Sequence, residues 1–194
     1  MKSKIFITIG IVFLVGAVAL TSFNIYDNNR ALNASNKILS KLDIKEHTLL
    51  ADEKPDYILN PDMKLPEKTV DGHTCVGYLE IPAFELKLVV LSHLNNANLR
   101  IAPCLYNGTP YKGNFVIAAH NYLSHFGRLK NLETGEKIIF TDIDGNVFNY
   151  EVISRETLMP DNIEQMKNSP YDLTLFTCTI GGATRVTLRC ELIE

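Results

Sequence analysis

Leu173-Thr174-Leu175-Phe176-Thr177-Cys178 and, seven residues on, Arg185-Val186-Thr187-Leu188-Arg189-Cys190 decide the fold of this chain. Both runs are rich in β-formers, and Thr179-Ile180-Gly181-Gly182-Ala183-Thr184 joins them. A Gly-Gly pair supplies the positive φ angles of a two-residue hairpin turn, so the segment reads as a β-hairpin. With Gly181 and Gly182 as the turn, Ile180 pairs with Ala183, Thr179 with Thr184, and Cys178 with Arg185. Directly opposed residues share a face, with Cβ atoms roughly 4.5–5.5 Å apart. The sequence therefore sets a thiol beside a permanent cation, which favours a thiolate and can stabilise an oxyanion.

Strand alternation divides the hairpin further. Leu173, Leu175, Val186, Leu188 and Cys190 fall on a core face, and Thr174, Phe176, Cys178, Arg185, Thr187 and Arg189 on a wetter one. Cys190 reads as a packed apolar residue, whereas Cys178 is placed where thiols react. Arg189 shares the face of Arg185. Four residues along a strand is about 13 Å, however, too far to serve the same carbonyl.

A cysteine nucleophile needs a proton carrier for its leaving group, usually histidine at neutral pH. His47 falls in a charged, proline-containing stretch, His73 just before the strand-rich region, and His93 in a loop. His120 closes the apolar run Phe115-Val116-Ile117-Ala118-Ala119. The end of a rigid core strand holds a side chain better than a loop does, which favours His120 over the loop residue His125.

Outward from these residues the chain is strand-rich. Val76 to Ile81, Glu85 to Leu91, Asn114 to Ala119, Glu136 to Thr141 and Val147 to Ile153 read as strands, the last two around an Asp144-Gly145 turn. Short helical turns are expected near Asn95 to Ala102 and Pro160 to Met166. Close-set short strands with few helices predict a mostly β, closed or nearly closed barrel.

The N-terminus differs. Residues 5–26 carry no charged side chain, and Lys2 and Lys4 precede them. About 20 apolar residues span a bilayer, and basic residues stay cytoplasmic, so the remainder is expected outside the cell. A cleaved signal peptide is the competing reading, because Gly16-Ala17-Val18-Ala19 is rich in small residues. The organisation expected is an anchor over 1–26, a stalk or arm over 27–74 and a catalytic barrel over 75–194. Ala31, Leu32, Ala34, Ile38, Leu39 and Leu42 are spaced for a short helix, and Pro55, Pro61 and Pro66 mark a spacer or extended arm.

Of 194 residues, 46% are hydrophobic, enough for a full core, and a net charge of -3 gives no electrostatic case for nucleic acid. Cys75, Cys104, Cys178 and Cys190 lack the C-x-x-C pairs of a zinc site. Disulfides among them are permitted but not required by a domain of this size.

Thr174-Leu175-Phe176-Thr177-Cys178 with Arg185 on the next strand resembles the T-L-x-T-C signature of sortases. Ala119-His120-Asn121 resembles their histidine segment, Gly77-Tyr78-Leu79-Glu80-Ile81-Pro82 their opening strand, and Gly108-Thr109 before Gly113-Asn114 fits the same pattern. The resemblance covers roughly residues 76–193. It implies an eight-stranded β-barrel and a membrane-anchored transpeptidase on a Gram-positive cell surface. Its partners would be surface proteins bearing a C-terminal sorting signal and a peptidoglycan precursor or cross-bridge amine. By resemblance Cys178 forms a thioester with an LPxTG-like signal, His120 carries protons, Arg185 stabilises the oxyanion, and Thr177 and Asn121 meet the substrate. No metal or organic cofactor is implied. His120-Asn121 followed by Phe126-Gly127-Arg128-Leu129 is class B-like, while the segment from Leu158 to Tyr171 is too short for the class B helical insertion. No second hydrophobic segment follows Cys190, unlike class C, and no acidic cluster matches the class A calcium site. The subclass stays open between B-like and D-like.

Two other readings share these residues. A secreted cysteine peptidase would use the same Cys/His chemistry but transfer to water. A non-catalytic surface-binding β-domain would carry Cys178 as a structural residue.

Overall fold

The computed structural model describes residues 2–44 and 54–193. His47 and the first part of the expected spacer lie outside the described residues. Helix α1 (Lys2–Leu39) runs unbroken through the expected boundary at residue 26. Residues 4–26 are exposed throughout; from Asp27 the exposure turns periodic, and Ala31, Ser35, Ile38 and Leu42 are buried. This is a helix-period stripe, and Ile38 and Leu42 pack with Val89 and Leu91 on one wall of the barrel. The segment after residue 26 is thus the docked end of the apolar helix, rather than a separate short helix.

The described part of the arm also packs. Helix α2 (Asp56–Leu59) stacks Tyr57 on Tyr111, with ring centroids 4.9 Å apart, and Leu65 is buried in the main core. Strand β1 (Lys68–Val70) pairs with β2 (His73–Ile81), so the sheet begins inside the expected arm.

Strands β3 (Leu86–Leu91), β4 (Cys104–Thr109), β5 (Gly113–Ala119), β6 (Lys137–Asp142), β7 (Val147–Leu158), β8 (Leu173–Cys178) and β9 (Arg185–Ile193) complete the sheet. Its order is β1-β2-β3-β4-β5-β8-β9-β7-β6, and β6 pairs back onto β2. Eight strands therefore close into a barrel, with β1 added beside β2. Closure removes the exposed edges that an open sheet would carry. Phe115, Phe140, Tyr150, Leu79, Leu175 and Leu188 fill the interior.

Two pairings in this barrel, β3 with β4 and β5 with β8, are parallel. The second matters most, because it sets Ala119 opposite Thr177. His120 and Cys178 follow that pair directly, at the same end of two adjacent strands.

Helix α3 (Asn96–Leu99) is capped by Asn95, whose side chain accepts from the Asn98 N–H at 2.8 Å. Helix α4 (Ile163–Lys167) buries Met166 against Val116, Ala118, Leu158 and Phe176. It thereby covers part of the hairpin face that alternation marks as wetter. Thr174, Thr187 and Arg189 on that face are buried, and Cys178 and Arg185 at its end are not.

Candidate active site

The hairpin register is the one the sequence predicts: Cys178 lies opposite Arg185, and Leu175 opposite Leu188. The turn differs. The Gly182 N–H donates to the Thr179 carbonyl at 2.8 Å, so Ile180 and Gly181 occupy the centre of a four-residue turn. Gly181, at φ +84, takes the position where a type II turn requires positive φ. Thr179 and Thr184 close the loop below it, through the Thr179 N–H to the Thr184 carbonyl at 3.0 Å and the Thr184 N–H to Thr179 Oγ1 at 3.1 Å. Ile180 is left standing at the tip, 90% exposed.

Arg185 Nη1 donates to the carbonyls of Gly182 (3.0 Å) and Thr184 (3.1 Å). The loop thus holds the guanidinium by one corner beside Cys178. Arg189 has a different task. Buried, it donates from Nε to Glu156 Oε1 at 2.6 Å, from Nη1 to Thr174 Oγ1 at 2.9 Å and from Nη2 to the Gln165 carbonyl at 2.9 Å. These bonds tie β7, β8 and α4 together, and Arg189 lines neither cavity that touches Cys178.

Thr177 points inward and is buried. Its hydroxyl donates to the Ala119 carbonyl at 2.8 Å, joining the strand that ends at Cys178 to the residue before His120. Beyond His120 the chain folds back sharply, with the Phe126 N–H on the His120 carbonyl at 3.2 Å and the Gly127 N–H on the Tyr122 carbonyl at 2.9 Å. A Cβ at Gly127 would sit 2.4 Å from the Asn121 carbonyl oxygen, so this loop closes only with glycine there. In the quartet that follows the histidine segment, Phe126 and Leu129 are core residues and Arg128 lies over the Phe84 ring at 4.0 Å.

His120 is half-buried, and Tyr122 meets its ring edge to face at a centroid distance of 5.2 Å. Burial, reinforced by the Arg100 guanidinium, holds its imidazole below the ordinary histidine value; the Asp27 carboxylate opposes them. His125 is fully buried, and burial, helped by His120, pushes it down to about 4. It is a neutral core residue at physiological pH. Exposed His93 bonds Ser92 Oγ through Nδ1 at 2.6 Å.

His120, Cys178 and Arg185 line one cavity of about 330 Å³, walled by Leu99, Tyr106, Met159, Ile163, Met166 and Phe176. Cys178 also opens onto a second cavity, of about 340 Å³, with Asn121, Phe126, Lys130, Thr177 and Ile180. Neither is lined by residues 54–70 of the arm. All four cysteines are free. Burial raises Cys75 to about 11 and Cys104 and Cys190 to about 12, leaving Cys178 as the partly exposed thiol. No group of three or more His, Cys, Asp or Glu among the described residues is placed to hold a metal ion.

One contribution to the site was not visible in the sequence. The Tyr122 hydroxyl donates to Asp27 Oδ2 of α1 at 2.6 Å, and Asp27 is paired with Arg30 at 2.8 Å. The Ser124 N–H donates to Asn28 Oδ1 at 2.9 Å and its hydroxyl to the Asn28 carbonyl at 3.1 Å. The Tyr122 hydroxyl and the Arg30 guanidinium hold the Asp27 carboxyl below the usual carboxylate range, against partial burial. No local pattern signals these pairings, which span 95 residues and more of chain.

Comparison with known proteins agrees with the geometry. Sortase C1 from Streptococcus suis superposes with a TM-score of 0.56 at 25% identity, over 62% of this chain and 73% of that one. Sortase A from Listeria monocytogenes gives 0.56 at 26% identity, over 62% and 88%. A Clostridium perfringens sortase D5 transpeptidase gives 0.59 over 84% and 98%, at 17% identity, which speaks to the fold alone. These matches come from classes C, A and D, so similarity leaves the subclass open between several classes. No curated protein matches the sequence. The family model of the sortase domain matches residues 79–193, more than half of the chain, and the chain belongs to the sortase family of transpeptidases.

Proposed function

We propose that this sortase cleaves an LPxTG-like sorting signal through a Cys178 thioester and passes the acyl group to a cell-wall amine. The observation that carries this reading is the convergence of His120, Cys178 and Arg185 on one apolar-walled cavity, with a second cavity on the other side of Cys178. The first suits the hydrophobic residues of a sorting signal. The second suits the group that leaves and the amine that replaces it.

As Cys178 Sγ passes its proton to His120, it attacks the Thr–Gly carbonyl carbon, and the carbonyl electrons move onto oxygen, where N–H donors of Arg185 stabilise the charge. As the oxyanion collapses, the C–N bond breaks and His120 gives its proton to the departing glycine amine. The thioester is then attacked by an incoming amine, whose proton returns to His120, and the C–S bond breaks to release Cys178. The low proton affinity of His120 suits this exchange, because a weakly basic imidazole gives up its proton readily. Thr177 acts by fixing the two strands in register, and exposed Asn121 meets the peptide at the cavity mouth. Residues 5–26 anchor the enzyme, with Lys2 and Lys4 cytoplasmic and the barrel outside the cell.

The test uses the full chain in lipid nanodiscs with a library of sorting-signal peptides and added triglycine. The expected product is the N-terminal fragment extended by triglycine, absent in Cys178→Ala and His120→Ala. Hydrolysis alone at high triglycine would replace this reading with a cysteine peptidase. An inert Cys178 with no cleavage would replace it with a binding domain.

A further inference from the structure

We infer that Leu123 and Ile180, with residues 21–25 of α1, form a lipid-contacting face that seats the rim of the active site in the interfacial zone of the bilayer. The inference rests on membrane anchoring by α1, as proposed above.

Ile180 is the most exposed large hydrophobic residue among those described, at 90%, and Leu123 is 66% exposed. Each sits on a loop that leaves a catalytic strand: Leu123 three residues after His120, Ile180 two after Cys178. A single exposed apolar residue is ordinary on a protein surface, but a contiguous apolar patch marks an interaction site. The two residues share a cavity of about 500 Å³ with Thr21, Asn24 and Ile25 of α1. The loops and the helix therefore border the same space.

The helix supplies the depth. At 1.5 Å per residue, about 20 residues counted from Ile5 cross a hydrocarbon core of about 30 Å, which puts the far boundary near Asn24. Thr21 lies about 9 Å below Asp27 along the axis, so the shared cavity straddles that boundary. The bonds from Tyr122 and Ser124 to Asp27 and Asn28 fix the histidine loop at this level. Phe23 and Ile25 are themselves exposed, at 59% and 57%, so the patch is continuous with the apolar surface of the anchor. That continuity selects lipid over a second copy or a protein partner.

The chain has no tryptophan, so single substitutions report cleanly. Ile180→Trp, Leu123→Trp, Phe13→Trp and Leu59→Trp are prepared in the full chain and placed in bilayers of lipid brominated on the acyl chains. Phe13 lies mid-helix. Leu59 is 72% exposed but belongs to α2 and does not line the cavity that Leu123 and Ile180 share with α1. The inference expects Ile180→Trp and Leu123→Trp to be quenched at least twofold by shallow bromines, with Leu59→Trp unquenched and Phe13→Trp quenched by deep ones. Quenching of Phe13→Trp with Ile180→Trp and Leu123→Trp no different from Leu59→Trp would overturn it and leave the anchor intact. An unquenched Phe13→Trp would remove the anchor and the inference together. A blue-shifted Ile180→Trp that bromine does not quench would mean that protein covers the patch, which also overturns it.

Discussion

Arg189 and Arg185 lie on one strand and one face, and the structure gives them opposite expected phenotypes. Arg189 is buried, with bonds to Thr174, Gln165 and Glu156. Arg189→Ala removes all three and the packing of its stem. Breaking a buried ion pair costs about 3–5 kcal/mol, mainly through the charge left behind. The Glu156 side chain is 42% exposed and returns to water, so the low end applies, and about 3 kcal/mol is expected. For a domain of this size that lowers Tm by roughly 6–12 °C. Well below the new Tm the cavity is unchanged, and kcat/KM stays within about threefold of wild type. With Arg185 in its proposed oxyanion role, Arg185→Ala is expected to lower kcat by about 10²–10³, as loss of an oxyanion donor does. Its own bonds go to partly or fully exposed loop carbonyls, so Tm falls by no more than about 2 °C. Far-UV circular dichroism melts and transpeptidation rates on the same samples make the comparison. Loss of turnover with an unchanged Tm in Arg189→Ala would refute the division of roles.

Three further outcomes follow from particular residues. Thr177→Val keeps the shape but leaves the Ala119 carbonyl without its donor; stability should fall by about 1 kcal/mol and kcat should drop more than KM rises, with Thr177→Ser restoring both. Equal losses in Thr177→Ser and Thr177→Val would assign the residue to packing instead. A methanethiosulfonate reagent should label Cys178 in the folded protein and reach Cys75, Cys104 and Cys190 only on unfolding, as read by mass spectrometry. His125 titrates near 6.5 when unfolded and about 4 in the fold. Its depressed value gives stability that is full above 6.5 and declines as pH falls toward 4, by about 3 kcal/mol in total. His125→Leu should lose that part of the acid slope in denaturant midpoints, and an unchanged slope would show that the imidazole titrates freely.

Local chemistry was legible, and distant pairing was not. The opposition of Cys178 and Arg185 follows from strand parity and a glycine-marked turn, all within eight residues. His120 could be chosen because a buried strand ends there. The β5–β8 pairing that joins these choices spans 58 residues, and nothing in either strand names the other as its neighbour. Alternation also treats a strand face as uniform. Met166 on α4 covers one part of that face and leaves the other open, so Arg189 is dry while Cys178 is accessible. The periodic residues after Asp27 signalled a helix, but Ser35, buried and polar, sits in the same stripe without an apolar signature.

The absence of a break in α1 has a mechanical consequence. The helix is about 57 Å long at 1.5 Å per residue, and its outer third is fixed to β3 and to the histidine loop. A transmembrane segment longer than its bilayer tilts to fit. Under the membrane anchoring proposed above, with no joint at the membrane exit, that tilt is transmitted as rotation of the whole barrel. On that proposal, bilayer thickness sets the angle at which the Cys178 cleft opens over the lipid surface.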